Sequence, residues 1–245
     1  MQSNQWPKTR ARLTEEQERI SDEFMQHWLE VLAVHPHYSL VEKFNHGYVV
    51  EHAPKQFVST LEIGAGVGGH FKHEILTEEQ KRNYVAIELR ENIVKKFKES
   101  HPDIRIELGD CQKTLPFKDG EFDRILAIHV LEHLPNLPAA LKEMHRLCNK
   151  KQGIFSVVIP CEGGMVYGVA RKISAEKIFV RRYKQPYKWF IENEHINMPR
   201  EIMRELSRYF KIEHKSLYPF SVPIINLNLC IGLTLRPRTD ISVGS

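Results

Sequence analysis

At 245 residues, 42% hydrophobic and 27% charged, the chain is long enough for one generous domain with a real core. No apolar run approaches the roughly 20 residues of a bilayer span, the opening residues Met1–Lys8 lack the apolar segment of a secretory leader, and Cys111, Cys148, Cys161 and Cys230 are too scattered for a zinc knuckle or a disulfide framework. The net charge of +4 is too modest to call for nucleic acid, so a cytoplasmic protein with reduced thiols is the expectation.

Residues 12–34 read as a helix. Thr14 is an N-cap ahead of Glu15 and Glu16, and Phe24, Trp28 and Leu32 recur on one face. A second helix is expected over 39–51, closing an N-terminal helical segment of residues 1–56. From residue 57 the pattern changes to strands alternating with helices. Strands are expected at 57–63, 83–88, 104–108, 122–128 and 153–159, with helices at 90–100 and 137–148. Strongly apolar strands in this alternation imply a parallel sheet covered on both faces. Residues 57–160 form this core.

The stretch 161–198 breaks the rhythm and is too long for an ordinary connection. A helix at 199–210 and two strands at 211–218 and 227–235 then complete the core through 236, and 237–245 reads as a tail. Two strands with no helix between them predict an antiparallel edge. The fold class expected is α/β, a Rossmann-like, doubly wound, mostly parallel sheet with an antiparallel C-terminal edge.

The chemistry gathers at strand ends. The first strand closes on Leu61-Glu62-Ile63-Gly64-Ala65-Gly66, where bare glycine backbone lets a ligand approach closely. Residues 64–69 also satisfy GxGxxG, which leaves a nicotinamide cofactor open on that evidence alone. Glu62 tilts the balance, since a carboxylate repels a pyrophosphate and attracts a sulfonium or ammonium group. Glu88 ends the second strand, where an acid can accept hydrogen bonds from ribose hydroxyls. Asp110, in Gly109-Asp110-Cys111, follows the third and can accept from an adenine amino group.

Taken together, LEIGAG, the acid of AIELR, the GD pair and FDRILAIHVLEHL resemble class I S-adenosylmethionine-dependent methyltransferases over roughly residues 57–160. The resemblance is to the branch acting on small molecules, similar to the ubiquinone-pathway O-methyltransferases. It implies S-adenosylmethionine as cofactor, with S-adenosylhomocysteine as product. It further implies that Gly64, Ala65 and Gly66 border the methionine part, Glu88 and Leu89 the ribose, and Asp110 and Cys111 the adenine. His129 corresponds to a position beside the cofactor, and Glu62 belongs to the same set.

The acceptor is less defined. The place after the fourth strand holds His129-Val130-Leu131-Glu132-His133-Leu134-Pro135 and not the Asn/Asp-Pro-Pro-aromatic run of base methylation, so a small-molecule acceptor is expected. His195 is the preferred general base, because an unperturbed pKa of about 6.5 suits proton transfer, and His133 is expected near the acceptor. His129, Glu132 and His133 share a side of a helical turn. A comparable run, with a distant histidine here matched by His195, binds a divalent ion in small-RNA 2′-O-methyltransferases. His129 in place of an acid weakens that parallel, and no metal is expected. The 161–198 insertion carries seven basic residues between Arg171 and Lys188 against Glu176 alone. It fits a lid over a phosphate- or carboxylate-bearing acceptor, with Tyr167 and Tyr187 as contacts, or a peripheral contact with an anionic membrane. Two other readings stay open: an inactive methyltransferase-like binding protein, and an RNA methyltransferase drawn by the basic insertion.

Overall fold

A computed structural model describes residues 6–34 and 36–240. Seven strands form one sheet: β1 (Thr60–Ile63), β2 (Tyr84–Glu88), β3 (Arg105–Leu108), β4 (Arg124–Ile128), β5 (Ile154–Pro160), β6 (Phe210–Tyr218) and β7 (Cys230–Pro237). Their spatial order is β3-β2-β1-β4-β5-β7-β6. The first five run parallel, while β7 pairs antiparallel with both β5 and β6. This is the doubly wound sheet with an antiparallel edge that the sequence predicts. Strand order reverses between β1 and β4, and the crevice outside their carboxyl ends is where such sheets bind ligands.

Burial explains the order. Every residue of β1 and β5 is buried, as befits strands covered on both faces. β6 alternates poorly and is largely exposed, as an edge strand should be. One face packs against α5 (Leu137–Leu147) and α9 (Pro199–Tyr209), through Leu141, Met144, Ile202 and Leu206. The other is covered near β2 by α4 (Glu91–Ser100), and near β5 and β7 by α2 (Pro36–Glu51). The ring of Tyr48 on α2 lies where a Cβ on Gly232 would sit, 2.6 Å away, so only glycine lets this helix settle on β7.

Several boundaries move. The first strand begins at Thr60 and the last at Cys230, because Ile225–Leu227 forms a 3-10 turn. Glu78–Arg82 forms a short helix, α3, with no buried residue and hence no apolar signal, held by a Thr77–Gln80 capping box. The insertion folds into α6 (Met165–Ile173), α7 (Ala175–Tyr183) and α8 (Lys188–Glu194). Phe24 of α1 (Glu15–Val34) stands edge-on to Phe179 and Phe190, at 5.0 and 5.1 Å between ring centroids. Burying such a ring is worth about 1.5–3 kcal/mol, so the N-terminal helix clamps the insertion. The Leu32 side chain, residues 1–5 and the tail residues 241–245 lie outside the described residues.

Candidate active site

The glycine loop leaves β1 at the crevice. Gly64 takes φ +67°, and a Cβ there would lie 2.6 Å from a methyl of Val130, just beyond β4. Gly66 takes φ +55° with open space where its Cβ would be. Backbone alone can adopt this path, which draws the ends of β1 and β4 together and leaves room above Gly66. Glu88 binds the loop to β2: its carboxylate accepts from the Gly66 amide at 3.2 Å and from the Leu89 amide at 2.8 Å. Leu89 beside it is exposed, and Ala65 and Cys111 are buried in the walls. Asp110 Oδ1 accepts from the backbone and side-chain nitrogens of Gln112, both at 3.0 Å. Gln112 in turn accepts from the Asn136 amide at the start of α5, fixing the third-strand loop.

The loop opens into a four-residue 3-10 turn, Gly69–Lys72, where GxGxxG would place a helix. A pyrophosphate draws on the amides and dipole of a helix N-terminus, and this turn offers little of either. Open glycine backbone, the Glu88 carboxylate and exposed Leu89 instead fit a nucleoside cofactor that carries no phosphate. S-adenosylmethionine meets that description.

Glu62 faces inward. Its carboxylate accepts from the Tyr84 hydroxyl at 2.7 Å, and burial pushes it up to about 7. Near it lies a second ionic group. Arg124, fully buried at the start of β4, donates to both oxygens of Glu74, at 2.6 and 2.9 Å. His70, on the turn after the glycine loop, meets Glu74 at 2.7 Å. Burial works against Glu74's charge, but His70 and Arg124 outweigh it and hold the carboxyl down to about 2. The network ties the segment after the loop to β4, and sequence reading had assigned Arg124, His70 and Glu74 no role.

The candidate histidines converge beyond β4. His129 occupies a left-handed conformation, φ 53°, and its Nδ1 lies 3.2 Å from Glu132 Oε1. Burial opposes a charge on His129, but Cys230 and Glu132 outweigh it and raise its pKa. Glu132 is fully buried in the 3-10 turn Leu131–His133. Burial would raise its carboxyl, yet the surrounding histidines hold it down to about 2. His133 Nδ1 donates to the Glu194 carbonyl at 2.9 Å, since a carbonyl can only accept. His195 Nδ1 lies 2.9 Å from Glu162 Oε2. Burial of Glu162 is outweighed by His195 and Arg171, so the carboxyl is held below its ordinary range and accepts. In their neutral forms both rings therefore keep Nε2 as a lone-pair nitrogen, and the rings stand 5.0 Å apart.

The two segments that carry these rings are stitched together. The Asn197 side chain donates to the carbonyls of Leu131 and Leu134, both at 2.8 Å, and the amides of Ile196 and Asn197 donate to the Glu132 carbonyl. His195 also lines a cavity of about 1210 Å³, together with Glu162, Arg171, Lys172, Tyr187 and Trp6. Tyr187 thus lines the cavity with His195, while Tyr167 packs against the main core. An extended N-terminal strap, residues 6–14, crosses this region. Lys8 Nζ donates to the Ile196 carbonyl at 2.7 Å and Arg10 Nη2 to the His133 carbonyl at 2.7 Å. Glu162, Glu194 and the strap escaped the sequence reading, because their partners lie far away along the chain.

Comparison with known proteins agrees with this geometry. A family model described as a methyltransferase domain matches residues 61–157. A Methanocaldococcus jannaschii protein is 35% identical over 99 residues, which is 40% of this chain and 40% of that protein, so the match spans well under half of that relative. The demethylmenaquinone methyltransferase of Alkalihalophilus pseudofirmus is 27% identical over 177 residues, 69% of this chain and 72% of that protein. Among solved structures, a Thermotoga maritima S-adenosylmethionine-dependent methyltransferase, described as a possible histamine N-methyltransferase, shares the fold. Its TM-score is 0.63 at 17% identity, covering 89% of this chain and 98% of that one. With the strand order, the loop and the strand-end acids already in place, these matches identify residues 61–157 as a methyltransferase domain and give the chain the fold of S-adenosylmethionine-dependent methyltransferases.

Proposed function

We propose that the chain transfers a methyl group from S-adenosylmethionine to an oxygen or nitrogen of a small-molecule acceptor. One observation carries this reading: the His195–Glu162 pair lies on the wall of a large cavity and beside the turn that borders the glycine loop. The bound cofactor supplies an electrophilic methyl on a sulfonium. Gly64, Ala65 and Gly66 hold its methionine part, Glu88 and Leu89 its ribose, and Asp110 and Cys111 its adenine, with His129 alongside and Glu62 supporting the loop from within. His195 Nε2 takes the acceptor's proton, Glu162 fixes the ring's orientation, and His133 stands beside it to position the acceptor. Lys172 on the cavity wall, beside Arg171 in its pair with Glu162, favours an acceptor with a phosphate or carboxylate, such as a sugar or a lipid-linked intermediate.

Glu88→Ala tests the cofactor end. Hydrogen bonds to a charged group contribute about 1.5–3 kcal/mol each, so titration calorimetry should show S-adenosylhomocysteine affinity falling tenfold to a hundredfold (roughly). Unchanged affinity would remove the ribose assignment.

A second reading has its own observation. Oε2 of buried Glu132 has no hydrogen-bond partner among the described residues, and donor atoms of Glu132, His133 and His195 lie within 4.8 Å of one another. Two imidazoles and a carboxylate suit a divalent first-row ion. If the histidines work by proton transfer, exhaustive chelation leaves turnover unchanged. Loss of turnover, restored by added Zn²⁺ or Mn²⁺, would reassign them as metal ligands.

A further inference from the structure

The insertion exposes apolar side chains in an ordered way. On α6, Met165, Val169 and Ile173 are 66%, 56% and 72% exposed and lie four residues apart, which makes one stripe. Lys172 falls on the same side, seven residues after Met165. The helix cannot roll this stripe inward. Its opposite side is engaged by Tyr167 in the main core and by the Arg171–Glu162 ion pair at 2.6 Å.

The connection from β6 to β7 continues the surface. Phe220, Val222, Ile224 and Leu227 are all exposed, and their display is imposed from beneath by Asn228. That side chain is fully buried; it accepts from the Phe220 amide at 2.8 Å and donates to the Val222 and Ile224 carbonyls at 3.1 and 2.9 Å. A loop held so firmly with its apolar residues outward is built to present them. The start of α6 packs directly on this loop, since a Cβ at Gly164 would lie 2.9 Å from the Ile225 carbonyl oxygen. The two apolar groups therefore adjoin.

Cations accompany them. Arg200 and Lys215 flank a cleft of about 340 Å³ that also includes Pro223 and Ile224 of the loop. On α7, Lys177 and Arg181 are exposed and share one side by spacing, and Lys184 just beyond the helix is exposed as well. Apolar residues that penetrate an interface, accompanied by lysine and arginine, match a bilayer with anionic headgroups. A second copy of the chain fits less well, because a two-fold contact would press the same cations against one another.

We propose that the α6 stripe and the β6–β7 loop dock this protein on an anionic membrane surface. Lys172 belongs both to the stripe and to the cavity wall, so docking faces the acceptor cavity toward the lipid. The docking stands apart from methyl transfer and can be tested without an acceptor.

The test is flotation of the full chain with vesicles of phosphatidylcholine alone, or with phosphatidylglycerol at about one part in three. Binding should appear only with phosphatidylglycerol and should weaken at high salt. Val169→Asp and Phe220→Ser, each removing one inserted side chain, should lower partitioning about tenfold. Lys215→Glu should also weaken binding. S-adenosylhomocysteine affinity and the melting temperature, measured on the same samples, should match the parent protein, which separates lost docking from lost folding or a lost cofactor site. No binding to anionic vesicles, equal binding to neutral ones, or variants that float like the parent would each overturn the proposal. So would a dimer in solution that Val169→Asp dissociates, because it would assign the surface to a second copy.

Discussion

Replacing His195 with alanine is expected to lower turnover by about two to four orders of magnitude, the range for a general base, while S-adenosylhomocysteine affinity stays nearly unchanged. The separation follows from position. His195 meets Glu162 on the cavity wall, whereas the residues proposed to hold the cofactor are the glycine loop and the ends of β2 and β3. Glu162→Gln should cost less, because the neutral amide still orients the ring but no longer stabilises the proton that Nε2 gains. The measurement is transfer of labelled methyl to the acceptor that a substrate screen yields, with calorimetry for cofactor binding. Full activity in His195→Ala would point to an amine acceptor for which proximity suffices. Equal losses in turnover and cofactor affinity would show that the residue only supports the fold.

The cofactor end was far more legible in sequence than the acceptor end, and the reason is physical. Parallel strands buried on both faces are short apolar runs, and their ligand-binding residues follow at once in sequence. Glu88 stands at the end of such a run, whereas the strand before Asp110, RIEL at the sheet edge, is half charged and was readable only from its place in the alternation. The acceptor end is assembled by long-range pairs: His195 with Glu162 across 33 residues, His133 with Glu194 across 61, and Lys8 with Ile196 across 188. No local period reports such contacts. Glu62 shows the limit from the other side. Its place before the loop was readable, but its inward turn to Tyr84 depends on the register of β1 beside β2, where Thr60 stands opposite Tyr84. Arg124 left one signal, a charge opening the otherwise apolar strand RILAI, which marks a buried cation needing an acid.

Arg124→Met should be the most destabilising single change to the framework. The guanidinium is fully buried, bonded to both Glu74 oxygens and set 4.8 Å over the Phe57 ring. Breaking a buried pair by removing one partner costs about 3–5 kcal/mol, because the other charge is stranded. For a chain of this size that corresponds to a fall in melting temperature of about 10 °C. The pH dependence identifies the cause. Glu74 is depressed from 4.5 to about 2, so its contribution is complete above 4.5 and is lost as pH falls through 2. His70 is depressed by burial from 6.5 to about 4, so stability also declines as pH falls from 6.5 toward 4. Without Arg124 both depressions shrink, Glu74 losing its cation and His70 a repelling charge. The melting-temperature gap between parent and variant should therefore be widest near neutrality and narrow from about pH 6.5 downward. A gap that stays constant down to acid pH would assign the loss to packing over Phe57. A gap under about 2 °C would show that the pair contributes little to stability. Cofactor affinity should fall as well, since His70 and Glu74 anchor the segment that follows Gly64 and Gly66 to the base of β4.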